Sequence, residues 1–163
     1  MIKLFYLILS CFFITGCQTV SLDLDKHEVT KIFIDKSDRE LFLLSNNVVL
    51  RKYDIGLGFE PIGHKQFKGD GKTPEGIYKI NRKNSQSLYK LSLGINYPNK
   101  EDEQYAKKYG KSPGGDIFIH GQDIKEPYKP IMDWTYGCIA VSDYAIEEIY
   151  KVVKIGTIVE IVP

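Results

Sequence analysis

A mainly β domain with one firm helix is the fold class this chain predicts. Two observations carry it. Short stretches rich in β-branched residues alternate in hydropathy between residues 29 and 120 and again at 157–162, set apart by clusters of Gly, Pro and Asn. A strong helical period occurs once, after Ser142, where Ile146, Ile149, Tyr150 and Val153 fall at i, i+3, i+4 and i+7.

The elements follow in order. Val29–Asp35 sets Val29, Lys31 and Phe33 against Thr30, Ile32 and Ile34 and predicts a strand. Arg39–Leu44 and Val48–Ile55 repeat the pattern, and Ser45-Asn46-Asn47 supplies the turn of a hairpin. Gly56–Gly76 changes character: six glycines and two prolines predict a long ordered loop, a kind that is usually functional. Ile77–Asn81 and Leu88–Leu93 predict two short strands, and Glu101–Tyr109 a polar helix stopped by Gly110. Asp116–His120 reads as a buried strand ending on a histidine, and Cys138–Val141 is extended. Ser142 then caps the firm helix, Asp143 complements its positive end, Gly156 ends it, and Thr157–Val162 closes the domain.

The first residues read as targeting rather than fold. Lys3 precedes an apolar run, Leu4–Ile14, too short to span a bilayer. Ile14-Thr15-Gly16-Cys17 then reads as a lipobox, in which Cys17 is lipidated after removal of residues 1–16. Gln18 in place of aspartate favours the outer membrane, so the expected location is its periplasmic face. Residues 17–28 are expected to be a lipidated tether and residues 29–163 the folded domain. The alternative is an ordinary secretory signal in which Cys17 is incidental.

Removing residues 1–16 takes away only Lys3 among the charged residues and leaves 21 basic and 21 acidic side chains. A chain without net charge offers no basic field for nucleic acid, and none is expected as a partner. Of the three cysteines, Cys11 leaves with the signal and Cys17 carries lipid, so Cys138 has no intramolecular disulfide partner in an oxidising compartment.

A lone cysteine near a histidine suffices for covalent acyl transfer. His120 is followed by Gly121, and Cys138 is preceded by Gly137. A free thiol is only a few per cent ionised at neutral pH, and a histidine that takes its proton contributes about 10²- to 10⁴-fold. Gly137 allows a sharp turn, after which the N–H groups of Gly137 and Cys138 could face an oxyanion. The sequence leaves the separation of His120 and Cys138 open, and core roles for both remain the alternative. His64, Trp134, Thr135 and Tyr136 are candidate substrate contacts, with a structural loop role the alternative for His64. A phosphate loop at Gly69–Thr73 fails because Gln66 stands where that motif needs a glycine. His64, His120 and Cys138 lack the tight spacing of a zinc set, and no metal is expected.

These motifs resemble the L,D-transpeptidase catalytic domain, the YkuD-like family. Its signature is His-Gly, a loop of about fifteen residues, then Ser/Thr-x-Gly-Cys; here fourteen residues separate His120 from Thr135. Gly63–Tyr78, Leu93–Asn99 and Asp133–Val141 look most like the YafK-type subgroup. The resemblance implies a β-sandwich or barrel-like catalytic domain with one or two short helices. It implies Cys138 as nucleophile, His120 as base, the Gly121 carbonyl orienting that base, and Gly137 and Cys138 N–H groups as oxyanion donors. It also implies peptidoglycan stem peptides as substrates: cysteine attacks the L-centre carbonyl of diaminopimelate, expels D-alanine and passes the acyl group to an amine, without a cofactor. Tyr136 and Ala140 depart from cross-linking members, which often carry charged or amide side chains there. Hydrolysis is therefore the close alternative, as an L,D-carboxypeptidase or an amidase that releases wall-attached outer-membrane lipoprotein. A non-catalytic wall-binding lipoprotein is the third reading.

Overall fold

The computed structural model describes residues 24–122 and 132–163. The expected signal, the expected lipidation site Cys17 and most of the expected tether lie outside them. Eight strands form one curled sheet: β1 Lys31–Asp35, β2 Glu40–Ser45, β3 Val48–Asp54, β4 Gly76–Asn84, β5 Ser92–Ile95, β6 Phe118–His120, β7 Ile139–Ala140 and β8 Ile158–Val162. Helix α1 spans Lys100–Lys108 and α2 spans Asp143–Val152. The strand order is β3-β2-β1-β8-β4-β5-β6-β7, with β1/β8 and β6/β7 parallel and the other pairs antiparallel.

Register follows from which side chains must leave water. Leu43, Ile32, Val159 and Tyr78 stand opposite one another across four strands, and all are fully buried. Sliding any of these strands by one residue would turn its apolar set to solvent. The sheet also closes on itself. Beyond β3, Gly56 exchanges two 2.8 Å backbone hydrogen bonds with Ala140 of β7, and Gly58 bridges to Thr135. The expected barrel-like β domain is the observed architecture.

Several boundaries differ from expectation. The strand expected at Leu88–Leu93 begins only at Ser92, because Lys90 has φ +70° and interrupts extended backbone. Strand β4 continues past Asn81 to Asn84, where its end pairs with Ser92. Helix α2 stops at Val152, not at Gly156. Val153 is already extended and buried, and Gly156, at φ +93°, turns the chain into β8. Helix α1 starts one residue early on a capping box: the Asn99 side chain accepts from Glu101 and Asp102 N–H groups while Asp102 accepts from Asn99 N–H.

Ser142 Oγ accepts the Ala145 N–H at 3.1 Å, as an N-cap should. The apolar face of α2 (Ala145, Ile146, Ile149) is buried beside β5 and β6, so this helix supports the strand that carries His120. Ile146 is fully buried, and its Cγ2 lies close to Gly121. Ile146→Ala is therefore expected to lower unfolding free energy by about 2–5 kcal/mol, read from urea denaturation.

Candidate active site

Strands β6 and β7 run parallel, with Ile119 opposite Ile139 and His120 opposite Ala140. Ile119 and Ile139 are fully buried. Alternation then sends Phe118, His120 and the residue before Ile139, which is Cys138, to the opposite face. His120 and Cys138 accordingly line one cavity of about 280 Å³, walled by Leu88, Tyr89, Ser92 and Phe118.

His120 is almost fully buried, and its Nδ1 lies 2.5 Å from the Gly121 carbonyl oxygen. A carbonyl only accepts, so Nδ1 carries the hydrogen and Nε2 keeps the lone pair. Gly121 is fixed in turn. Its N–H donates to Tyr89 O at 3.0 Å, and a Cβ there would meet Asp143 Oδ1 at 2.6 Å and Tyr89 O at 2.7 Å. Asp143 also accepts the Gln122 N–H at 2.9 Å, which ties the end of β6 to the start of α2. The imidazole packs against two aromatic rings, Tyr89 at 4.6 Å and Trp134 at 5.8 Å between centroids. The expected contact Trp134 thus sits against the histidine.

Cys138 is half-buried, and it is the free cysteine among the described residues. Its thiol donates to Asp116 O at 3.5 Å. Burial pushes the thiol up from its ordinary value; a hydrogen bond from the Phe118 backbone works against this, Asp116 adds to it, and Lys65 opposes it. Burial likewise pushes the His120 imidazole down, against the Gly121 carbonyl. Both shifts favour a neutral thiol beside a neutral imidazole at rest.

The turn before Cys138 is built by three residues. Thr135 is buried; its Oγ1 donates to Cys138 O at 2.7 Å and accepts the Gly137 N–H at 3.1 Å. Gly137 has φ +123°, and a Cβ on it would stand 2.5 Å from Lys72 O. Asp133 accepts the Leu57 N–H at 2.9 Å and pairs with Arg39 at 2.7 Å. The glycine-rich loop has its own buried anchor: Lys36 Nζ reaches Gly63 O at 2.7 Å, Glu75 at 2.7 Å and Thr73 O at 3.1 Å.

Four of the expected site residues have partners that the sequence does not reveal. The Thr135 hydroxyl makes both of its hydrogen bonds within the turn. The Gly137 N–H is engaged by that hydroxyl, which leaves the Cys138 N–H as the expected oxyanion donor not bound to Thr135. His64 lies on a different cavity, of about 980 Å³, where its Nδ1 accepts the Glu75 N–H at 2.9 Å and its Nε2 is 3.1 Å from buried Asp102. That placement also removes it from any ligand set with His120 and Cys138. Tyr136 is exposed and packs edge-on against Phe59, on a neighbouring cavity rather than that of His120. Sequence reasoning missed Tyr89, Asp133 and the contact of Asp143 with the histidine loop, because no local pattern marks them.

The L,D-transpeptidase catalytic domain (YkuD) matches residues 30–161. The Escherichia coli (strain K12) protein YafK, named provisionally as an L,D-transpeptidase, is 30% identical over 118 residues, which cover 70% of this chain and 39% of YafK. The helical cell shape determining protein Pgp2 of Campylobacter jejuni superposes with a TM-score of 0.62 at 27% identity, covering 83% of this chain and 48% of that one. Bd1075 of Bdellovibrio bacteriovorus gives 0.62 at 28%, covering 85% and 49%. An L,D-transpeptidase of Mycobacterium smegmatis shares the fold, with a TM-score of 0.55 at 13% identity. The chain belongs to the L,D-transpeptidase catalytic-domain family. It spans about two fifths of YafK and about half of the two solved relatives named first.

Two measurements check the geometry. The rate of alkylation of Cys138 by iodoacetamide, followed by peptide mass spectrometry, is expected to climb with pH and not to level off until beyond 9.0, the ordinary thiol value from which burial raises it; a plateau reached below neutrality would contradict the neutral pair. Gly137→Ala is expected to destabilise the fold by about 1–3 kcal/mol or more, from its positive φ and the clash with Lys72 O, as read by denaturant midpoint.

Proposed function

We propose that this chain is a peptidoglycan-directed cysteine acyltransferase of the L,D-transpeptidase type. The observation that carries the reading is His120 and Cys138 on one face of the parallel β6/β7 pair, lining one cavity, with the imidazole tautomer fixed by Gly121 O. In the proposed cycle the thiol proton turns from Asp116 O to His120 Nε2. Sulfur then bonds to the L-centre carbonyl carbon of diaminopimelate in a stem peptide. Collapse of the tetrahedral adduct breaks the C–N bond to D-alanine, whose nitrogen takes the proton from the imidazolium. The Cys138 N–H would meet the oxyanion, and loss of one such donor typically costs about 10²- to 10³-fold. In the second half His120 deprotonates an acceptor amine, which takes the acyl group while sulfur regains its proton.

Hydrolysis is the second reading, and specific residues favour it. Tyr136 is exposed and uncharged and Ala140 is fully buried, so neither supplies a charge to hold an anionic acceptor. Water would then release the donor as a shortened peptide, or free a wall-attached outer-membrane lipoprotein. The proposed organisation is a signal over residues 1–16, lipidated Cys17 with a tether to residue 28, and a catalytic domain over 29–163. The lipid would hold the domain at the periplasmic face of the outer membrane; one acyl chain anchors only marginally, whereas several hold firmly.

Cys138→Ala is expected to abolish turnover with the fold intact, and His120→Ala to slow acylation by about 10²-fold or more; retained activity in the first, or no change in acylation in the second, sinks the assigned role. Turnover of a tetrapeptide in oxygen-18 water, with and without an amine acceptor, separates the outcomes: amine-linked product without label marks transfer, and labelled carboxylate at unchanged rate marks hydrolysis. Metabolic fatty-acid labelling that appears in wild type and disappears in Cys17→Ser is expected; its absence in wild type defeats the anchor.

A further inference from the structure

A second cavity, of about 490 Å³, adjoins the cysteine and shares no lining residue with the cavity of His120. It reaches the sulfur through Asp116, whose carbonyl accepts the thiol hydrogen, and through Tyr136, two residues before Cys138. Gly114 and Gly115 lie on it without side chains, and Lys65 and Lys68 supply its cations. Lys65 is 3% exposed and already committed: its Nζ donates to Phe67 O at 3.2 Å and pairs with Asp70 at 2.8 Å. The Asp116 carboxylate is likewise paired, with Arg82 at 2.6 Å. Lys68 is different. It is exposed, lines the cavity, and makes no ion pair among the described residues.

The root of Lys68 is nonetheless fixed. Its N–H donates to Ser112 O at 2.8 Å, and Gly114, at φ +84°, approaches so closely that a Cβ there would lie 3.2 Å from Lys68 Cα. Among the described residues the cavity therefore carries one positive charge without an ion-pair partner, on a braced backbone, beside the residue proposed to react. A monoanion is the ligand such a site fits, because a single ammonium offers three donors and one charge. On the acyl-transfer reading, a free carboxylate borne one residue from the reacting carbonyl lies about 3.8 Å further along the chain, within reach of a cavity that adjoins the sulfur.

We propose that this second cavity is a carboxylate subsite, in which Lys68 pairs with a free α-carboxylate of the stem peptide. The inference rests on the acyl-transfer reading for its substrate. Two carboxylates carry this chemistry: that of the terminal D-residue and that at the D-centre of diaminopimelate.

The test is calorimetric binding to the full chain carrying Cys138→Ala, so that no turnover is needed. The probes are a tetrapeptide with both carboxylates free and two forms in which one or the other is amidated. Lys68→Gln is expected to weaken binding of the free peptide about 10-fold, the lower end of the range of a charge-assisted hydrogen bond because Lys68 is exposed. The same change is expected to have no effect on the form amidated at the carboxylate that Lys68 holds, which identifies the carboxylate. Lys68→Arg is expected to restore most of the affinity. Equal weakening of all three peptides by Lys68→Gln, no weakening, or no binding of any peptide overturns the subsite. Turnover by the wild type with the same peptides is read separately: carboxylate-dependent binding without turnover would remove the acyl-transfer reading and leave the subsite standing.

Discussion

The parallel pairing of two very short strands is the constraint on which the site depends. Residues 118–120 and 139–140 meet in a register that buries Ile119 and Ile139 and so turns His120 and Cys138 to the same face. Adjacent strands lie about 4.8 Å apart, and residues two apart on a strand about 6.6 Å. The diagonal between the histidine and the cysteine is thus short enough for side chains to meet over one cavity. A parallel pair cannot be joined by a tight turn and needs a crossover of a dozen or more residues. The long interval between His120-Gly121 and Gly137-Cys138 is the physical consequence of that geometry. Such short strands hold only if their free edges are occupied: β5 covers β6, Gly56 covers β7, and α2 packs behind.

Electrostatics then decide what kind of nucleophile the pairing makes. Burial acts on both partners against charge, raising the thiol and lowering the imidazole. Both shifts favour the neutral pair over a thiolate–imidazolium ion pair, so in the proposed reaction the proton would move during attack. The protonated thiol is the less reactive form. The Gly121 carbonyl completes the pair by fixing which imidazole nitrogen is the base.

Much of this was legible in the sequence. Strands β1 to β3, β8 and helix α2 declared themselves because each has one wet and one dry face. The cysteine and histidine stood out by chemistry and by their neighbouring glycines. What stayed hidden was set by backbone contacts between distant segments. Lys90 at positive φ looks like any strand lysine until the chain is folded. Asp133 has no local mark of its bond to Leu57 N–H, nor Asp143 of its bond to Gln122 N–H. Thr135 has no local mark of its two hydrogen bonds within the turn, to Cys138 O and from the Gly137 N–H. The partners of His64 are equally hidden: the loop that carries it is long and glycine-rich, and Lys36 and Asp102 bind that loop and its histidine to the scaffold.

The central claim is that Cys138, deprotonated by His120, forms a covalent bond to a stem-peptide carbonyl. Intact mass spectrometry of the protein mixed with a tetrapeptide and quenched in acid tests it most directly. A mass increase equal to the peptide acyl portion without its terminal D-alanine, localised to the peptide containing Cys138 and strongly delayed in His120→Ala, is the predicted result. Turnover of the peptide with no adduct on Cys138, or an adduct that maps to another residue, would contradict it.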